Sequence, residues 1–218
     1  MNDEFEEVDR FLASLSLNTS PKHETEETTS QNIVFDRHGD LRLQVGSQGQ
    51  TFLVDSRSLG RASPVWKAMF DGEWSKAKSI VDDAWVVSLS DDDPEVMSVL
   101  LGIIHGDFPR DANIYSTKDV CAVASLADKY DIVHLLRPWA PMWIEAVKAK
   151  PTTGSFQSYI TKMCIAWDLG DESLFESMAK RILLLVEVDN EGVLLDSKGN
   201  ALKDEPLLPR MGIIGRSY

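Results

Sequence analysis

DLRLQVGSQGQTFLV, residues 40–54, decides the first element of the fold. Leu41, Leu43 and Val45 alternate with Arg42 and Gln44, the period of a strand with one buried face. After GSQG the segment QTFLV resumes the strand pattern, and two such runs around a glycine-bearing turn predict a β-hairpin. The glycines join two strands and do not lead into a helix, so this turn is no phosphate cradle.

Reading outward toward the C-terminus, Ser56 is expected to cap a short helix carrying Leu59, and Ser63-Pro64 to open the helix PVWKAMF. The turn DGEW and a polar stretch then lead into the strand AWVVSL. Asp93-Pro94 starts a helix that is apolar nearly all round through His105, as a centrally packed helix must be. Ser116 with Asp119 forms a capping-box start, and IVHLLRPWAPMWIEAV follows as a helix broken by two prolines near Trp139. Phe156, Tyr159, Ile160, Met163, Cys164 and Trp167 form the best helical stripe. Gly170 ends it, and Asp171 caps a second helix with Leu174, Phe175, Met178, Ile182, Leu185 and Val186 inward. These two helices predict an αα-hairpin, and turn signals around Val193–Leu195 predict a small β-hairpin after it. A hairpin, short helices, a strand and then paired helices make an α+β fold.

Reading outward the other way, residues 1–32 hold eight acidic side chains against Arg10 and Lys22. Phe5, Val8, Leu12 and Leu15, with Phe11 beside them, predict one amphipathic helix of about four turns, suited to docking or dimerisation. Residues 18–32 have no apolar period and read as linker. The start of the chain has neither a basic nor an apolar region of the signal-peptide kind.

The formal charge of −13 opposes phosphate backbones at long range, which argues against nucleic acid as a partner. No apolar run approaches the roughly 20 residues that cross a bilayer, so no membrane partner is expected. Cys121 and Cys164 form no CxxC pair and no disulfide framework, which fits a reducing compartment; the expected location is cytoplasm or nucleus. The four histidines have no partners at metal-ligand spacing, and no hydrolase, metalloprotease or nucleotide-binding motif occurs. Asp91, Asp92 and Asp93 read as helix-start acids before Pro94. With Gly192 at the sixth position of a calcium loop, Lys198 would stand where the bidentate glutamate belongs, and the loop fails. No cofactor, no metal site and no catalytic constellation is expected.

DLRLQVG, FLVDSRSLGRASPVWKAMFDGEW and VVSLSDDDPEVMSVLLGIIHG, in that order, resemble the BTB/POZ domain. LADKYDIVHLLRPWAPMWI with IAWDLGDESLFESMAKRILLLV is similar to the filamentous-fungal form and its C-terminal helical extension. The resemblance spans residue 40 to about 205. It implies a small three-stranded sheet with clustered helices, and protein partners: self-association and, in many members, a cullin of a ubiquitin ligase. Cullin-binding members usually carry a hydrophobic residue, any residue and glutamate after the second helix. The matching place here is Trp74-Ser75-Lys76, with lysine where the acid belongs. His105 stands where the family often has tyrosine before glycine. Both departures count against cullin recruitment.

The expected organisation is an acidic segment at 1–32, the BTB/POZ domain at 33–147, the extension with its hairpin at 148–205 and an irregular tail at 206–218. Most of the six tryptophans are expected in the core. Trp74, in a polar turn, is the exception, and with Met69 and Phe70 it is expected to form an apolar contact surface, rimmed by Lys76 and His105.

Overall fold

The computed structural model describes residues 32–71, 79–81, 84–107, 115–152, 154–208 and Met211. The expected hairpin is present as β2 (Leu41–Val45) and β3 (Gln50–Val54), paired antiparallel. Leu41, Leu43 and Val45 are fully buried while Arg42 and Gln44 face solvent, so the alternation read from the residues is the burial pattern itself. Gly46 turns the chain at φ 76°, and a Cβ there would stand 2.8 Å from the Pro94 ring.

The sheet is larger than three strands. β1 (Ile33–Val34) runs parallel to β3 at one edge, β5 (Ala84–Leu89) runs parallel to β2, and β4 (Ser79–Val81) closes the other edge, giving the order β1-β3-β2-β5-β4. The two added edge strands have two and three residues, too few to show an alternation in sequence.

α1 (Ser56–Ala62) begins one residue earlier than expected. Its cap is Asp55, whose Oδ2 accepts the Ser58 amide at 2.9 Å and the Ser58 hydroxyl at 2.7 Å. Ser56 instead donates both its amide and its hydroxyl to Asp40, 2.8 and 2.7 Å away. α2 (Pro64–Asp71) starts at Ser63, where Oγ accepts the Trp66 amide at 3.0 Å and donates to the Tyr130 carbonyl at 2.6 Å.

α3 (Pro94–His105) is the central helix, with Met97, Leu100, Leu101, Gly102 and Ile103 buried and the Asp93 carboxylate on its first amides. α4 (Thr117–Lys129) has the reciprocal Ser116–Asp119 cap. The proline-bearing segment divides into a 3-10 turn (Val133–Leu136) and α5 (Ala140–Ala149).

α6 (Phe156–Leu169) and α7 (Glu172–Leu183) form the αα-hairpin, turned at Gly170 in the left-handed region and capped by Asp171. α6 packs on α4 as well as on α7, and one cluster of buried side chains runs from Leu41 to Met211. Trp167 departs from the expected stripe. It is half exposed at the last turn of α6 and lies against Phe175, ring centres 5.7 Å apart. β6 (Glu187–Val188) and β7 (Leu194–Leu195) make the small hairpin.

Candidate interaction surface

α2 sets the geometry of the surface that the residues around Met69 suggest. Trp66 and Phe70, four apart, point into the core, because one helical face must meet the sheet. Trp66 stacks obliquely on Tyr130 at 4.6 Å, and Phe70 meets the Trp85 ring edge-on at 5.1 Å. Met69 is half-buried and Val65 is exposed. Met69 and Phe70 are thus neighbours, with the Phe70 ring turned inward. Trp74 and Lys76, and the N-terminal set Phe5, Val8, Phe11, Leu12 and Leu15, lie outside the described residues.

Phe70 is not sealed off. With Trp85 it forms the apolar wall of an open cleft of about 690 Å³, and Arg57, Arg61 and Lys67 stand around it. Arg57 and Arg61 share a face of α1 by their spacing of four. Arg61 donates to the Ser58 hydroxyl at 3.0 Å. Asp40 and Asp71 also line the cleft, and Asp40 is occupied by Ser56. Among the described residues none of these three cations makes an ion pair. The result is an aromatic wall with a cationic rim on a chain of net charge −13. The arginine spacing is visible in the sequence, but the part played by Trp85 is not, because only the sheet brings β5 beside α2.

His105 does not join this set. Its Nε2 accepts the Asp55 amide at 3.2 Å, so Nδ1 carries the proton and donates to the Leu101 carbonyl at 2.8 Å. The ring also lies 5.8 Å from Phe35. Nε2 thus joins the end of α3 to the start of α1, while Nδ1 is held by the preceding turn of α3 itself.

A second apolar surface escaped the reading of the residues. Leu183 and Leu184 are 73% and 85% exposed at the end of α7. Val188 and Leu194, a directly opposed pair across the small hairpin, are also exposed. The run of leucines at 183–185 suits a helix interior, but the helix stops at Leu183 and leaves Leu183 and Leu184 uncovered, while Leu185 packs against the core.

Two aspartates in this stretch are spent on backbone. Asp189 Oδ1 accepts the amides of Glu191 and Val193, each at 2.8 Å, and Asp196 does the same for Lys198 and Asn200. Among the described residues no group of three or more His, Cys, Asp or Glu is placed to hold a metal ion. No helix among them is long and apolar enough to cross a membrane.

A family model, the BTB/POZ domain, matches residues 31–141, half of the chain. No curated protein matches the chain. The BTB/POZ domain is a protein–protein interaction module, and its known work is binding rather than catalysis.

Proposed function

We propose that this chain, which belongs to the BTB/POZ domain family, works by binding other proteins, as an adaptor or an oligomerisation module. The observation that carries this reading is the open cleft against Phe70 and Trp85, around which Arg57, Arg61 and Lys67 stand with no ion pair among the described residues. An aromatic wall contributes desolvation energy, and an unpaired cationic rim selects an acidic partner and speeds encounter. Met69, Phe70 and Trp74 are the proposed apolar contacts, and Phe5, Val8, Phe11, Leu12 and Leu15 a second one.

Recruitment to a cullin-based ubiquitin ligase is the sharper form of this proposal. Lys76 stands where cullin-binding relatives carry an acid, so any binding should be weak. The test is a pulldown of the full chain with a purified cullin N-terminal domain. Lys76→Glu is expected to strengthen binding, since a charge reversal at an interface rim is worth on the order of 1–3 kcal/mol. No binding by either form at micromolar concentration removes the ligase role.

The other reading is a scaffold or regulatory homo-oligomer without ligase contact. The uncovered Leu183, Leu184, Val188 and Leu194 favour it, because an apolar surface of that kind seeks cover. Light scattering over a concentration series tests it, and a monomer throughout counts against it.

A further inference from the structure

Away from the surface described above, the starts of α4 and α6 face one open cavity of about 710 Å³. Lys118, Lys150 and Lys162 line it together with the hydroxyl residues Ser116, Ser158 and Thr161. No carboxylate lines it among the described residues, on a chain with 35 acidic side chains.

Lys162 is the informative member. Its residue is 96% buried, at 4% exposure, on the inner face of α6. The bond its ammonium makes is only part-buried, at the side of the open cavity, so it is the stem that is sealed and the charge is partly desolvated. Yet Nζ of Lys162 donates only to the Lys150 carbonyl, at 2.7 Å, and among the described residues it has no acidic partner. Lys150 repeats the pattern, its own Nζ donating to the Tyr115 carbonyl at 2.8 Å. An ammonium carries three donors, so each of these two groups keeps donors beyond the one it uses. Burial also pushes Lys162 below the ordinary lysine range, the direction expected of a cation that waits for an anion.

The helix starts add to this field. In α4, Ser116 Oγ takes the Asp119 amide and Asp119 takes the Ser116 amide, which leaves the first-turn amides of Thr117 and Lys118 without a carbonyl of their own helix. In α6, Ser155 Oγ takes the Ser158 amide, leaving those of Phe156 and Gln157 in the same condition. Helices of thirteen and fourteen residues direct their positive ends to one place, the α4 end partly offset by the Asp119 carboxylate of its own cap. The overall charge of −13 does not cancel this, because exposed charges beyond about 10 Å are largely screened at physiological salt.

We propose that this cavity binds a phosphate monoester, with Lys118, Lys150 and Lys162 and the first-turn amides of α4 and α6 as its donors. The dianion supplies the countercharge that Lys162 lacks. It also ties the start of α6 to α4. The phosphate can belong to a free small molecule or to a phosphorylated side chain of a partner, since either presents the same oxygens.

Calorimetric titration of the full chain tests this, with four probes: inorganic phosphate, chloride at matched ionic strength, and a short serine peptide with and without phosphorylation. Saturable binding of inorganic phosphate or phosphopeptide, absent with chloride and with the unmodified peptide, is the expected result. Lys118→Glu, on the exposed first turn, should weaken it about tenfold or more by placing an anion among the donors. Lys162→Met keeps the buried stem and removes the charge. It should fold, melt no lower than the parent in phosphate-free buffer, and lose the rise in Tm that phosphate gives the parent. Phosphopeptide binding at least tenfold tighter than inorganic phosphate assigns the group to a partner's side chain; equal binding assigns it to a free ligand. The proposal falls if neither probe binds beyond chloride, if the unmodified peptide binds as well, or if both folded variants bind like the parent.

Discussion

Asp92 holds Tyr130 across the core: one oxygen of the nearly buried carboxylate accepts the tyrosine hydroxyl, and the other accepts the Lys129 ammonium at 2.6 Å. The turn before α3 is thereby pinned to the end of α4. Tyr130 also lies under Trp66, and its carbonyl receives the Ser63 hydroxyl, so one residue gathers α2, α3 and α4. Tyr130→Phe should cost about 1–3 kcal/mol, because it leaves a buried carboxylate oxygen without its donor. Burial first, and then the Asp92 carboxylate, hold the phenol well above the ordinary tyrosine range. In the unfolded chain it ionises near pH 10. Its contribution is therefore whole below that pH and is withdrawn as pH rises toward the folded value. Urea unfolding at pH 7 and above pH 10 checks both statements, and the gap between parent and variant should narrow at the higher pH.

Asp171 behaves in the opposite sense. Its Oδ1 accepts the Leu174 amide at 2.7 Å as the cap of α7, and its Oδ2 accepts the Lys148 ammonium from α5 at 2.8 Å. Lys148, ahead of the backbone bonds, holds the carboxyl below the usual aspartate range. That contribution is whole above the unfolded pKa of about 4 and is lost as pH falls from there through the lower folded value. Asp171→Ala should cost about 1 kcal/mol at neutral pH, the ordinary worth of such a cap. The difference from the parent should shrink at pH 3.5. A difference that held constant across that range would place the loss in packing instead of in the carboxylate.

Local chemistry made most of this fold legible. The β2–β3 alternation, the Asp93-Pro94 start, the Ser116–Asp119 box and the Gly170-Asp171 break are each written within a few residues, and each stands where it was expected. What escaped has a common cause, that its partners are distant in sequence or its pattern too short. Ile33–Val34 is a strand only because β3 offers it an edge. Asp55 is the cap, and Ser56 is instead held by Asp40 from a preceding loop, a partner sixteen residues away. Lys118, Lys150 and Lys162 belong to three different stretches, and no window of sequence brings them together. The contact surface was half legible: Met69 and Phe70 adjoin in sequence, but Trp85, against which the inward Phe70 ring packs, arrives only with β5.

The hairpin turn offers a comparison of two glycines. Gly46 and Gly49 both have positive φ, 76° and 65°. A Cβ on Gly46 would press on the Pro94 ring at 2.8 Å, whereas one on Gly49 would meet nothing within 4 Å. Gly49→Ala should therefore cost only the backbone term, about 1 kcal/mol. Gly46→Ala adds overpacking against a ring that cannot rotate away, on the order of 1–3 kcal/mol more. Thermal melts of the two variants should rank in that order, and equal melts would mean that the β2–β3 turn can move off Pro94 without cost.

The uncovered end of α7 gives the remaining test. Leu183 and Leu184 contribute little to the fold, being 73% and 85% exposed, so replacing both with glutamate should change stability by no more than about 0.5 kcal/mol. If a second copy covers them, the same replacement removes an apolar contact and places two like charges in each half of a symmetric interface, where each juxtaposition repels its mate. The expected outcome is a parent chain whose scattering mass rises with concentration and a Leu183→Glu, Leu184→Glu variant that stays monomeric with an unchanged melt. Association that survives the double variant would move the self-contact elsewhere, and the exposed β1 edge, with Ile33 and Val34 uncovered, would be the next surface to charge.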